Sequence, residues 1–135
     1  MNWLSHISVG TDREGSDFDA TSVGLAVMLI RFRQERAKHY PELKFADPAW
    51  DIMLDVFVAA ARGKHLSVGD LAVGSDLPTS TALRWSDYLV KQGVVDNVDD
   101  PNDKRRKLMS MNPAQLSRIS ALLFKMAGSL AKSAP

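Results

Sequence analysis

The hydrophobic and polar positions of this chain change period several times, and each change marks an element. Val23, Val27, Ile30 and Ala37 recur at helical spacing, and Leu25, Met28, Leu29 and Phe32 widen the same face. Thr21 or Ser22 is the expected cap of this helix, which should run over about 21–40 until Pro41 stops it. So apolar a helix needs another surface to cover it, with a partner chain as one candidate. Asp47-Pro48 opens a second helix, with Asp as cap and Pro in the first turn. Trp50, Met53, Leu54, Phe57, Val58 and Ala61 follow mostly three and four apart, and Gly63 is a natural stop.

From Leu66 to Pro113 the signals come closer together. Ser67 caps a short helix holding Asp70, Leu71 and Ala72, and Asp70 stands at the spacing of a capping box. Thr79 is the expected cap of the next helix, about 79–92, with Ala82, Trp85 and Leu89 as its inner row and Gly93 as its end. Val94, Val95 and Val98 read as strand, as do Leu108, Met109 and Met111, around a loop rich in Asp, Pro and Asn, which makes a long hairpin. Asn112-Pro113 begins a last helix, about 113–131, with Leu116, Ile119, Ser120, Leu123 and Met126 on one face and Leu122 and Leu130 beside it. The pattern predicts a mainly α protein with a small β-hairpin: a winged helix-turn-helix flanked by N- and C-terminal helices. Residues 20–135 form one expected domain, behind an acidic arm over 1–19 that is expected to be mobile, with Trp3 and Leu4 as candidate anchors.

Composition narrows the chemistry. The 135 residues contain no cysteine, which excludes disulfides and thiolate metal sites and fits a cytoplasmic protein. No apolar run is long enough to span a bilayer, and no secretion signal is visible, so a membrane is not an expected partner. The net charge is only +1, but it is unevenly placed. Asp12, Glu14, Asp17 and Asp19 make the arm acidic, whereas the stretch from Lys104 to the end carries Lys104, Arg105, Arg106, Lys107, Arg118, Lys125 and Lys132 without a single acid. Such asymmetry can steer one face toward phosphate.

With Ala82, Trp85 and Leu89 inward, Ser80, Thr81, Leu83, Arg84 and Asp87 point largely outward. The hydroxyls of Thr79, Ser80 and Thr81 suit phosphates or base edges. Arg84 suits guanine O6 and N7 or a phosphate, and Leu83 a thymine methyl; the sequence does not choose among these targets. Lys104, Arg105, Arg106 and Lys107 are four adjacent like charges, most simply understood if a polyanion neutralises them. Asp103 stands in front of them, placed to hold an arginine extended toward a narrow minor groove. Duller readings stand beside these: a solvated basic loop, and an Arg84 paired only with Asp87 or Asp70. Trp50, Trp85 and the methionines Met28, Met53, Met109, Met111 and Met126 read as packing residues. His6, His39 and His65 have no metal-ligand spacing. No catalytic set or phosphate cradle is legible, so neither an enzyme nor a cofactor is expected.

Ser67 to Asn112 resembles the winged helix-turn-helix of the MarR family of bacterial transcription regulators. The matching pieces are Leu66-Ser67-Val68-x-Asp70-Leu71-Ala72, Ser80-Thr81-Ala82-x-Arg84, Leu89-x-x-x-Gly93-Val94-Val95 and Asp100-Pro101-x-Asp103-Lys104-Arg105. The similarity covers roughly Asp47 to Leu130, and the apolar helix near Val23 to Tyr40 stands where the family has its dimerisation helix. The resemblance implies sequence-specific binding of double-stranded DNA by a homodimer. The helix bearing Ser80, Thr81 and Arg84 would lie in the major groove, and Arg105, supported by Asp103, would reach the minor groove. Two departures matter. Asp76 stands where the family often has glycine in the turn, and one helix follows the wing where the family usually has two. The second departure implies a smaller or different dimer interface and thinner walls for a small-molecule effector pocket, so an effector is unsupported. Two other readings stay open. A winged-helix module that binds protein fits the near-neutral charge and acidic arm, and an effector sensor predicts a pocket between the N-terminal helix and the winged domain.

Overall fold

A computed structural model describes residues 18–133 of the chain. The elements run α1 (Ala20–His39), α2 (Pro48–Ala61), β1 (Leu66–Ser67), α3 (Val68–Gly74), α4 (Thr79–Lys91), β2 (Asp96–Asp100), β3 (Asp103–Ser110) and α5 (Pro113–Ser133). Most of the expected arm, residues 1–17 with Trp3, Leu4, His6 and the acids Asp12, Glu14 and Asp17, lies outside the described residues.

The α1 cap is neither Thr21 nor Ser22. Asp19 caps the helix, its carboxylate accepting from the Ser22 backbone N–H at 3.2 Å. Ser22 is buried instead, and its hydroxyl donates to the Ser120 carbonyl on α5 at 2.9 Å. The carboxylate wins because it reaches the free N–H groups of the first turn with a full charge. Asp47 and Pro48 open α2 as the spacing predicts, although the Asp47 side chain makes no capping bond. Val23, Val27 and Ile30 of α1 share one buried cluster with Ile52, Val56 and Phe57 of α2 and Leu116, Ile119 and Leu123 of α5. Phe18, just before α1, lies against Phe57 with ring centroids 5.7 Å apart.

The sheet has three antiparallel strands in the order β1-β3-β2. The two-residue β1 was invisible in the hydrophobic pattern because it is too short to alternate. It pairs Leu66 with Met109 and Ser67 with Leu108, and so ties the hairpin to the start of α3. The hairpin itself differs from expectation. The basic residues Lys104 to Lys107 lie in β3 and not in a loop, and only Pro101 and Asn102 separate the strands.

A buried ionic cluster joins α1 to the helix-turn-helix. Arg33 of α1 donates through Nη2 to Asp55 Oδ1 of α2 at 2.7 Å and to the Gly74 carbonyl at the end of α3 at 3.2 Å. Arg33 Nη1 lies 3.4 Å from Asp51 Oδ1. Ser75 Oγ donates to the other Asp55 oxygen at 3.4 Å. Burial pushes the Asp55 carboxyl up to about 6, against the pull of Arg33. Asp51 is raised as well, again chiefly by burial.

Large apolar side chains remain exposed on the two outer helices: Met28 and Phe32 on α1, and Leu122, Phe124, Met126 and Leu130 on α5. Met28 and Met126 are thus not core residues of this chain, unlike Met109 and Met111. Their rows on α1 and α5 face away from the single core. No helix among the described residues is long and apolar enough to cross a membrane.

Two outcomes are expected. Arg33→Met strands the Asp55 charge and should lower unfolding free energy by about 3 kcal/mol at pH 7, measured by urea denaturation. The folded protein holds the Asp55 proton more tightly than the unfolded chain, whose value is near 3.8. The contribution of this group is therefore most favourable below that value and is lost as pH rises through about 6. The stability of the wild type relative to Asp55→Asn should fall across this window and stay level above it.

Candidate nucleic-acid interface

The helix-turn-helix is set by local chemistry at both ends of α3. Ser67 Oγ accepts from the Asp70 N–H at 3.1 Å, and Asp70 Oδ2 accepts from the Ser67 N–H at 3.0 Å, a complete capping box. At the other end Asp76 takes φ 53° in the turn, the left-handed region that glycine usually fills and that Asp tolerates better than most residues. The N-cap of α4 is Pro78, so Thr79 is the first helical residue and not the cap. Its hydroxyl is then free of capping duty.

The buried row of α4 is Ala82, Ser86 and Leu89. Trp85 sits at the edge of that row, half-buried against the core and edge-on to Tyr88 at 5.5 Å. Positions four and seven on from Ala82 fit the 3.6-residue period better than Trp85, three residues on, would. Thr79, Ser80, Leu83, Arg84 and Asp87 are exposed, and Thr81 is half-buried. Asp70 is engaged by Arg106, and no ion pair joins Arg84 to Asp87 or Asp70.

The wing lies beside this face. A groove of about 360 Å³ is lined jointly by Thr79, Leu83 and Asp87 of α4 and by Arg105, Arg106 and Lys107 of β3. A neighbouring hollow on α4 is lined by Ser80, Leu83, Arg84 and Asp87. The structure therefore brings the outward α4 residues and the basic strand to one open surface. It also changes the electrostatic argument for that strand. Arg105 Nε lies 3.4 Å from Asp103 Oδ1. Arg106 bridges Asp70 at 3.3 Å and Asp100 at 3.8 Å. Lys107 is hydrogen-bonded to Asp99. Strand alternation separates the adjacent cations, and among the described residues carboxylates answer all but Lys104, so no polyanion is needed to explain the run. Arg105 is nevertheless 93% exposed, and Asp103 accepts from both its backbone N–H and its Nε, which holds it extended at the wing.

No family model matches this sequence, and neither does any curated protein. Solved structures do match in shape. A MepR variant from S. aureus superposes at a TM-score of 0.53 with 14% identity over 80% of each chain. Wild-type apo MarR from E. coli does so at 0.51 with 19% identity, over 78% of this chain and 76% of that one. A further MepR variant, solved bound to an oligodeoxyribonucleotide, matches at 0.51 with 15% identity, over 80% of this chain and 79% of that one. This chain has the winged-helix fold of the MarR-type regulators.

Within that MarR-type fold, three features escaped sequence reasoning. Asp99 and Asp100 pair with Lys107 and Arg106, and both acids looked like loop polarity until the β2–β3 register set Asp99 against Lys107. The Asp70–Arg106 contact joins residues 36 apart, which no local pattern reveals. Asn97, a further polar residue of the shared groove, also went unnoticed, although its place opposite Met109 follows from the hairpin register. The capping box has a direct test: Ser67→Ala should cost about 1 kcal/mol in urea denaturation, because one N–H at the start of α3 loses its acceptor.

Proposed function

We propose that the chain is a sequence-specific, double-stranded DNA-binding transcription regulator acting as a homodimer. The observation that carries the reading is the shared open surface of α4 and the wing, with Arg84 in no ion pair among the described residues and Arg105 exposed beside it. On this reading α4 enters the major groove, where Thr79, Ser80 and Thr81 meet phosphates or base edges, Leu83 meets a thymine methyl and Arg84 reads a guanine or a phosphate. Arg105 enters the minor groove with Asp103 as its support, and Lys104, Arg106 and Lys107 strengthen the local field. Support comes also from the fold shared with a MepR variant solved with an oligodeoxyribonucleotide. The exposed apolar rows on α1 and α5 flank a groove of about 540 Å³ lined by Leu25, Leu29, Trp50, Leu122, Met126 and Leu130. Covering them with the same rows of a second copy would make a two-fold pair, and half-sites one helical turn apart on the duplex would call for recognition helices about 34 Å apart. The surface is also compatible with a protein-binding wing, since the hairpin is balanced in charge.

A second reading has an observation of its own. A cavity of about 480 Å³ lies between α1 and the helix-turn-helix, lined among others by Arg33, Arg36, Phe45, Gly74 and Pro78. A small effector bound there would touch the turn that carries α4.

Selection of bound sequences from random duplex DNA tests the first reading. Enrichment of a palindrome is expected, and its absence, together with binding that is flat between about 50 and 200 mM salt, would favour a protein partner. On the selected duplex, Arg84→Ala should lose about 1–3 kcal/mol if Arg84 reads a base. Unchanged affinity removes it from the contact list.

A further inference from the structure

We propose that Arg106 is a positioning residue of the wing: it ties the outer half of the hairpin to the capped start of α3 and so sets where Arg105 stands relative to the α4 face. The inference rests on the DNA-binding reading of that face and gives Arg106 a different task from the phosphate contact its charge first implies.

The hairpin needs such a tie. β1 supports only Leu108 and Met109 of β3. From Lys107 out to Asp103 the wing is a two-stranded ribbon reaching ~16 Å past the three-stranded part, and an isolated ribbon of this kind is marginal in water. Among the described residues, the ion pair that crosses from that ribbon to the helical body is made by the Arg106 guanidinium, with Nη2 on Asp70 Oδ2 at 3.3 Å, while its Nε stays 3.8 Å from Asp100 within the hairpin. The acceptor is already fixed, because the same Asp70 oxygen receives the Ser67 N–H in the capping box. A swing of about 10° at the base would carry the tip about 3 Å, enough to lose a contact in a narrow groove. Arg106 has its charge answered by two carboxylates at about half exposure, whereas Arg105 stands almost wholly in solvent with one.

The test compares full-length wild type, Arg105→Gln, Arg106→Gln, Asp70→Asn, the Asp70/Arg106 double variant and Ser67→Ala. Each is titrated against a fixed mixed-sequence duplex of about three helical turns over a range of salt. Hydrogen exchange of the amides in 99–107 is read without DNA. Arg105→Gln should lower the steepness of the salt dependence by about 0.9, the signature of one cation lost from the duplex. Arg106→Gln and Asp70→Asn should each weaken binding about tenfold with the salt dependence unchanged, and the double variant should be no worse than either. Both should speed exchange in the wing, which Arg105→Gln and Ser67→Ala should leave alone. The Asp70→Asn result has a sign of its own, because removing an acid near DNA would tighten binding on charge alone. Tighter or unchanged binding there overturns the proposal. So does a reduced salt dependence for Arg106→Gln, unaltered wing exchange in both variants, or Ser67→Ala loosening the wing as much as Asp70→Asn, which would credit the cap alone. If the wild type fails to bind the duplex, the DNA reading falls, and the exchange experiment decides the tie separately.

Discussion

A carboxylate without solvent exposure needs a cation, and in this chain that need joins the flanking helix to the helix-turn-helix. Asp55 sits inside α2, and Arg33 reaches it from α1 while also holding the Gly74 carbonyl at the end of α3. The turn that follows contains Asp76 in a left-handed conformation and leads directly into α4. The position of α4 thus depends on a charge pair whose geometry tolerates little drift, because removing either partner leaves the other buried and unanswered. The apolar core around Phe57 supplies the bulk of the burial, but it is non-directional. The ionic cluster sets an angle.

The same logic recurs at the surface in a softer form. The wing is not a loose cationic loop but a strand whose charges are matched by acids on β2 and on α3. Exposed pairs of this kind add little to stability. Their effect is on placement: they hold long side chains extended and keep like charges apart. A capping box at the start of α3, a left-handed turn at its end and an arginine bridge back from the hairpin make α3, α4 and the wing one body. The proposed contact with two grooves of a duplex at once needs such a body, since a misplaced reading element loses its contact outright.

Much of this was legible in the sequence because it is local. The Ser67/Asp70 spacing, the Asp47-Pro48 start, the Asn112-Pro113 start and the stop at Gly93 each involve neighbours within about one helical turn. The amphipathic rows of α1, α2 and α5 were legible for the same reason. Cap identity was less so: Asp19 displaced Thr21 and Ser22, and Pro78 displaced Thr79, because several residues within a turn could serve and the surrounding packing chose. The inner row of α4 slid from Trp85 to Ser86, since a bulky indole fits the edge of a row better than a tightly packed centre.

The sequence by itself determined the order of elements, their broad class and the outward side of α4, because periodicity and capping act over a few residues. Tertiary structure alone decided that Lys104 to Lys107 form a strand, that β1 exists, and that Asp70, Asp99 and Asp100 neutralise the wing. It also decided that Arg33 meets Asp55 and Gly74. Those pairings join residues far apart in the chain, and electrostatic partners are chosen by distance in space, which spacing along a sequence does not encode.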